Sequence, residues 1–274
     1  MSLSECSTRD AVISVENLSL SYDNCLIQSN INFTVNHNDI FIIMGNSGSG
    51  KSTLLRAMTG LKQPDSGDVF YTNPAIKTNN NEIKNKKTDF TAYWQSSDKL
   101  QHKIMQQFGV MFQSGALFSS MTLLENVSLR LLETTQYSEM RIRKIASLKL
   151  ALVGLKGFEH YYPAQISGGM QKRVSIARAM VMDPPILFFD EPSAGLDPVS
   201  SKLLDDLLLE LRDSMGMTMI VVTHELDSIF AIANNSIFLD AGKQTMTACG
   251  NPHSLLLENT EPQVQAFLQR GKQS

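Results

Sequence analysis

The sequence predicts an α/β fold built around a mainly parallel sheet, and three observations predict it. A continuous apolar run, Ile40-Phe41-Ile42-Ile43-Met44, stops at a glycine-rich loop and continues as the helical run Ser52 to Met58; the expected order is buried strand, loop, helix. From Gly168 onward helical and apolar strand segments alternate: a helix, Ile186 to Phe189, a helix around Ser200 to Met215, Met219 to Val222, a helix from Leu226, and Ser236 to Leu239. Alternation of this kind belongs to parallel strands joined by crossover helices. Third, Val12 to Val35 alternates apolar and polar positions (Ile13, Val15, Leu18, Leu20, then Ile31, Phe33, Val35) around a turn signal at Asp23-Asn24. That stretch predicts antiparallel strands at the entrance to the domain.

Between these segments lie two others. Residues 73–107 hold Asn79-Asn80-Asn81, Lys84, Lys86 and Lys87 and few aliphatics, and read as one long polar surface insertion. Leu123 to Ala164 returns to helical patterning, with Ile142, Ile145, Leu148 and Leu152 at helical spacing behind an expected N-cap at Ser138, and with Gly154 and Gly157 as stops. The 274 residues suffice to bury a core. A net charge of −3 argues against nucleic acid as a partner, and residues 77–103, with six lysines against three acids, make too weak a patch to reverse that. The apolar runs fall far below the ~18 residues that span a bilayer, and the polar start, Met1 to Asp10, is not a secretion signal. Cys6, Cys25 and Cys249 have no metal-ligand spacing and read as ordinary thiols of a reducing compartment.

Gly45-Asn46-Ser47-Gly48-Ser49-Gly50-Lys51-Ser52 fits G-x-x-x-x-G-K-[ST] in the context that motif requires. Its glycines let successive N–H groups converge on phosphate oxygens, and the helix beginning at Lys51 to Thr53 adds its positive end. Lys51 would reach the β- and γ-phosphates, and Ser52 would offer its hydroxyl to Mg²⁺. At the end of a second apolar strand stand Asp190 and Glu191; in an open α/β sheet the carboxyl ends of strands face the ligand. Asp190 is expected to hold the metal and Glu191 to polarise the attacking water. Ser167-Gly168-Gly169-Met170 opens a helix about twenty residues earlier, a second anion-binding terminus. Two phosphate-binding devices in one chain suggest two chains sharing each nucleotide.

With these motifs together, the chain resembles the nucleotide-binding subunit of an ATP-binding cassette (ABC) transporter over roughly Ala11 to Leu268, leaving 269–274 as a tail. The resemblance implies a P-loop NTPase (RecA-like) core with an antiparallel β subdomain and an α-helical signature subdomain at about 114–182. It assigns Gln113 to the glutamine that contacts Mg²⁺ and couples, Ser167, Gly168 and Gly169 to the signature, Ala194-Gly195-Leu196-Asp197 to the D-loop, His224 to the switch histidine, and Tyr22 to the aromatic residue that stacks on adenine. It further implies ATP and Mg²⁺ as ligands, a homodimer closing head to tail, catalysis by Glu191, His224, Lys51 and Gln113, and a separate integral-membrane permease.

Met170, where most relatives carry glutamine, and Gln113-Ser114-Gly115-Ala116-Leu117-Phe118 are similar to the cassette subunit of Mla/Mce-type lipid transporters. That likeness implies phospholipid transport linked to outer-membrane lipid asymmetry, a peripheral location on the cytoplasmic face of the bacterial inner membrane, an Mce-type substrate-binding subunit and an accessory soluble subunit. A small-solute importer cassette and a non-transport ABC ATPase are the alternatives.

Overall fold

Why the first strands pair is visible in their side chains. β1 (Ala11–Tyr22) and β2 (Cys25–Asn36) run antiparallel, turning Ile13, Val15, Leu18 and Leu20 of one and Ile31, Phe33 and Val35 of the other to the interior. Alternation of this kind gives each strand one apolar face. The register is irregular between Leu18 and Leu20, close to Asn30, whose φ is +51°. With β4 (Ser66–Thr72) and β5 (Phe90–Ala92) they make a four-stranded sheet in the order β2-β1-β4-β5. These and the following features come from a computed structural model that describes residues 10–23, 25–72, 90–258 and 260–270.

The chain divides into two compact units, Met1–Gln107 with Val222–Ser274, and Phe108–Val221. In the first, β3 (Ile40–Gly45) is buried along its whole length and pairs in parallel with β9 (Asn235–Asp240), which pairs antiparallel with β10 (Thr245–Gly250). A strand covered on both faces reads as a continuous apolar run rather than an alternating one, as Ile40 to Met44 does. β3 delivers the chain into α1 (Lys51–Met58). α2 (Asp98–Met105), α7 (Leu226–Ile232), α8 (Pro252–Glu258) and α9 (Pro262–Gln269) complete this unit.

In the second unit β6 (Phe108–Met111) pairs in parallel with β7 (Ile186–Asp190), and β8 (Thr218–Val222) follows in the order β8-β7-β6. Gly109 of β6 is needed because a Cβ there would lie 2.2 Å from the Ala179 carbonyl oxygen. α3 (Leu123–Thr134), α4 (Glu139–Leu152) and α5 (Gly168–Ala179) pack on one another through Leu123, Val127, Leu131, Ile142, Ala146, Leu150 and Val174. α6 (Pro198–Met215) carries the chain on to β8.

Three expectations change here. Within the stretch read as the insertion 73–107, the described residues from Phe90 on pack against the rest of this unit: Tyr93 and Ile104 are buried, Trp94 Nε1 donates to Ala57 O (3.2 Å), and Asp68 accepts the N–H groups of Val69, Trp94 and Gln95. Residues 73–89 lie outside the described residues. The buried face of α4 is Ile142, Ala146, Lys149 and Leu150, while Leu148 and Leu152 face solvent. Lys149 can lie inside because Asp183 meets its ammonium. The ordinary-thiol expectation holds at exposed Cys25 but not at Cys249, which is disulfide-bonded; proximity in space cannot be read from spacing along the chain. Cys6 lies outside the described residues. Among the described residues no helix is long and apolar enough to cross a membrane.

Candidate functional site

The phosphate loop is shaped by its glycines. Gly45 (φ +150°) ends β3, and a Cβ there would lie 2.5 Å from the Leu239 carbonyl oxygen and 2.7 Å from Ser49 Oγ. Gly48 (φ +77°) has open space around it, and Gly50 (φ +86°) forms the N-cap of α1 without a side chain of its own. Positive φ at all three is the conformation that glycine alone enters freely. Lys51, almost fully buried, spans the loop and donates from Nζ to the carbonyl oxygens of Gly45 (2.9 Å) and Asn46 (3.0 Å). Ser47 and Gly48 are exposed, Asn46, Ser52 and Thr53 half-buried, and Ser49 buried.

The loop therefore offers an exposed backbone arc, an ammonium within it and the positive end of a helix. Its donors fit a polyphosphate. Ser49 Oγ is buried without a hydrogen-bond partner, on the side of the loop where Gly45 meets the Leu239 carbonyl. The hydroxyl of Ser52, the amide oxygen of Gln113 and the carboxylate of Asp190 are hard oxygen donors, the kind that Mg²⁺ takes beside phosphate oxygens.

Also in this unit, Tyr22 ends β1 with 59% of its surface exposed, and Lys62 Nζ stands 5.7 Å from its ring centroid. An exposed ring at a strand end is available for stacking. His224 is exposed just beyond β8. It follows Thr223, whose N–H reaches Ile43 O (3.4 Å) and whose hydroxyl accepts from Glu225 N (3.1 Å).

The second unit gathers the remaining motifs. Asp190 and Glu191 are both buried where β7 ends, and Glu191 has a φ of +50°. A non-glycine residue held left-handed costs about 1–3 kcal/mol and persists where its surroundings impose it. Ser167 caps α5 by accepting from Met170 N (3.3 Å) and leaves Gly168 exposed at the helix start. A Cβ on Gly169 would lie 3.4 Å from Ser200 Cβ, so the signature turn packs against the first turn of α6. Asp197 caps α6 through Val199 N and Ser200 N, and the hydrogen bond from the Ser200 hydroxyl is the leading cause of its carboxyl lying below the usual carboxylate range.

Gln113 is exposed, and its backbone is held by α5: Lys172 Nζ donates to Gln113 O (2.6 Å), Ser175 Oγ to Gly115 O (3.1 Å), and Arg178 to Gly115 O (2.8 Å) and Ala116 O (2.7 Å). Burial lowers the pKa of Arg178. The sequence reading gives Lys172, Ser175 and Arg178 no role; their spacing of three residues, which makes successive members neighbours on a helix surface, was the available signal. It missed Gln28 altogether.

A glycine loop of this shape between a buried strand and a helix defines a P-loop nucleotide-binding protein. The chain belongs to the ABC transporter family, whose model matches residues 28–194. It has the RecA-like P-loop core of that family with an α-helical subdomain.

The chain is 36% identical over 256 residues to the "Probable ribonucleotide transport ATP-binding protein mkl" of Mycobacterium tuberculosis, covering 93% of this chain and 66% of that protein. It thus spans somewhat less than two thirds of the length of that relative. It is 33% identical over 257 residues to the "Intermembrane phospholipid transport system ATP-binding protein MlaF" of Escherichia coli, covering 94% and 88%. Among solved structures, the MJ0796 cassette, described as a dimeric post-hydrolysis state bound to ADP and Pi, superposes with a TM-score of 0.72 at 30% identity, covering 87% of this chain and 98% of that one. The cbiO1 protein of Clostridium perfringens superposes with a TM-score of 0.77 at 27% identity, covering 96% of each chain.

Proposed function

We propose that this chain is the ATP-hydrolysing subunit of a membrane transporter, that it works as a head-to-tail pair of copies, and that its cargo is phospholipid. The observation that carries the first part is the phosphate loop, glycine-shaped at three positions with Lys51 spanning it.

In this reading Lys51 and the loop amides hold the phosphates, Tyr22 stacks on adenine, and Ser167 and Gly169 of one copy face the phosphate held by Lys51 of the other. Glu191 accepts the proton of the attacking water, and His224 stabilises the transferred group. Ser52, Asp190 and Gln113 hold Mg²⁺. The ion, when bound, supplies the charge that neutralises the phosphate oxygens. The dimeric description of the MJ0796 cassette supports pairing.

Phospholipid as cargo rests on two supports: the segment 113–118 with Met170, and a match that runs through nearly all of both this chain and the MlaF proteins. The partners are then integral-membrane permease subunits, an Mce-type substrate-binding subunit and an accessory soluble subunit, at the cytoplasmic face of the inner membrane. A second reading, an importer of a small solute, is favoured by the 38% identity to the "Glycine betaine transport ATP-binding protein OpuAA" of Bacillus subtilis, although the match covers only 52% of that protein.

Replacing Glu191 by Gln is expected to leave ATP affinity in place and to lower turnover by about 10²–10⁴-fold, the range for losing a general base. The variant should also accumulate a dimer with MgATP in size-exclusion chromatography. Near wild-type hydrolysis would remove Glu191 from the role. In the reconstituted complex, transfer of labelled phospholipid, rather than ATP-driven uptake of betaine, decides the cargo.

A further inference from the structure

Gln28 is a polar side chain with no exposed surface on β2. Its Nε2 donates to two backbone carbonyls, Ser49 O in the phosphate loop (2.8 Å) and Asp240 O at the end of β9 (3.2 Å). Its Oε1 is buried without a hydrogen-bond partner. The orientation of the amide is dictated by its neighbours: two carbonyl oxygens can only be met by the NH₂ end, which has two donors. A buried acceptor left unmet is costly, an expense that packing alone does not explain.

We propose that Gln28 is a positioning residue for phosphate binding, acting through the Ser49–Gly50 peptide. In a trans peptide the C=O and the N–H point in opposite directions. Anchoring Ser49 O on Gln28 therefore turns the Gly50 N–H to the other side, toward the ligand face of the loop. Donation to the carbonyl also polarises the peptide and strengthens its N–H as a donor. The second bond, to Asp240 O, ties this anchor to β9, whose Leu239 carbonyl already lies against Gly45. Gln28 further lines the wall beside Gly50, where a Cβ would meet its Cγ at 3.3 Å. The loop is thus held in its binding shape from the side of β2, the strand whose first residue pairs with Tyr22. The proposal rests on the reading that this loop binds the triphosphate.

The test uses the full chain with Gln28→Met, which keeps length but removes the donor, Gln28→Glu, which places an acceptor against Ser49 O, and Lys51→Ala as the control on the loop. Affinities for ATP and for inorganic tripolyphosphate, each with Mg²⁺, are measured by calorimetry beside the unfolding temperature of the nucleotide-free protein. The expected result is about a tenfold loss for Gln28→Met, equivalent to about 1.4 kcal/mol, by the same factor for both ligands because the lost contact is to phosphate. Gln28→Glu should lose more. A purely structural glutamine would lower the unfolding temperature and leave both affinities within twofold of wild type, which overturns the proposal. Failure of both variants to fold would likewise mark Gln28 as structural. If Lys51→Ala bound tripolyphosphate as well as wild type, the loop reading itself would fall, an outcome distinct from an unaffected Gln28→Met.

Discussion

Gly45→Ala and Gly48→Ala form a matched pair that separates backbone strain from steric contact within one loop. Both glycines have positive φ, so an added Cβ strains each: about 1–2 kcal/mol for the left-handed conformation at Gly48, and about 1–3 kcal/mol at Gly45, further from any region that other residues favour. Their surroundings differ. Around Gly48 nothing lies within 4 Å of the new carbon, whereas at Gly45 it would sit 2.5 Å from the carbonyl oxygen of Leu239. That oxygen belongs to backbone in register with Gly45 across the β3–β9 pair, so it cannot swing aside as a side chain would. Overpacking of this kind adds about 1–3 kcal/mol. Gly45→Ala should therefore cost about 2–6 kcal/mol and Gly48→Ala about 1–2 kcal/mol. Urea unfolding of the nucleotide-free chain, read by circular dichroism with the slope held common, measures both. Equal costs for the two variants would refute the argument that contact with β9 shapes the start of the loop.

The other predictions concern the second unit. The Asp197 carboxyl lies below its ordinary value of 3.8 because the folded state hydrogen-bonds the charged form, Ser200 Oγ first; its stabilisation is complete above the ordinary value and disappears as pH falls through the lower folded value. Asp197→Ala should consequently destabilise at neutral pH and reduce the loss of stability below pH 3.8, and an unchanged acid limb in unfolding curves would contradict this. For the pair between buried Lys149 and largely exposed Asp183, Asp183→Asn should destabilise more than Lys149→Met. The first leaves a buried ammonium without its counter-charge, whereas the second replaces it by an apolar chain of similar length. Thermal unfolding of the two variants in parallel measures the order, and a greater loss in Lys149→Met would reverse the argument.

Local chemistry was legible wherever a motif must be contiguous. A phosphate loop is built from neighbouring amides, so Gly45 to Ser52 announces itself, as does the capping residue Ser138, whose side chain acts within three residues. The fully buried strands β3 and β7 are legible for a related reason: burial on both faces leaves only one type of residue to use. The return of the chain through β5 and α2 was not legible. There the apolar contacts are few, and Trp94 and Gln95 find their partner in Asp68, 26 and 27 residues away.

The buried face of α4 shows the same limit. Two helical stripes compete in its sequence, and what selects the one containing Lys149 is an aspartate 34 residues further on.

For this protein the sequence by itself determined the class of chemistry: a P-loop with its carboxylate pair and signature turn, each a short-range constellation with its own backbone requirements. Only the tertiary structure decided what holds that chemistry in shape. Counting back from Val35 by twos puts Ile27 and Ser29 inside and Gln28 outside; the irregular register near Asn30 reverses the parity and buries the glutamine. Its two acceptors lie 21 and 212 residues away. Hydrogen bonds across such separations form only once distant strands are packed together, and no local pattern records them.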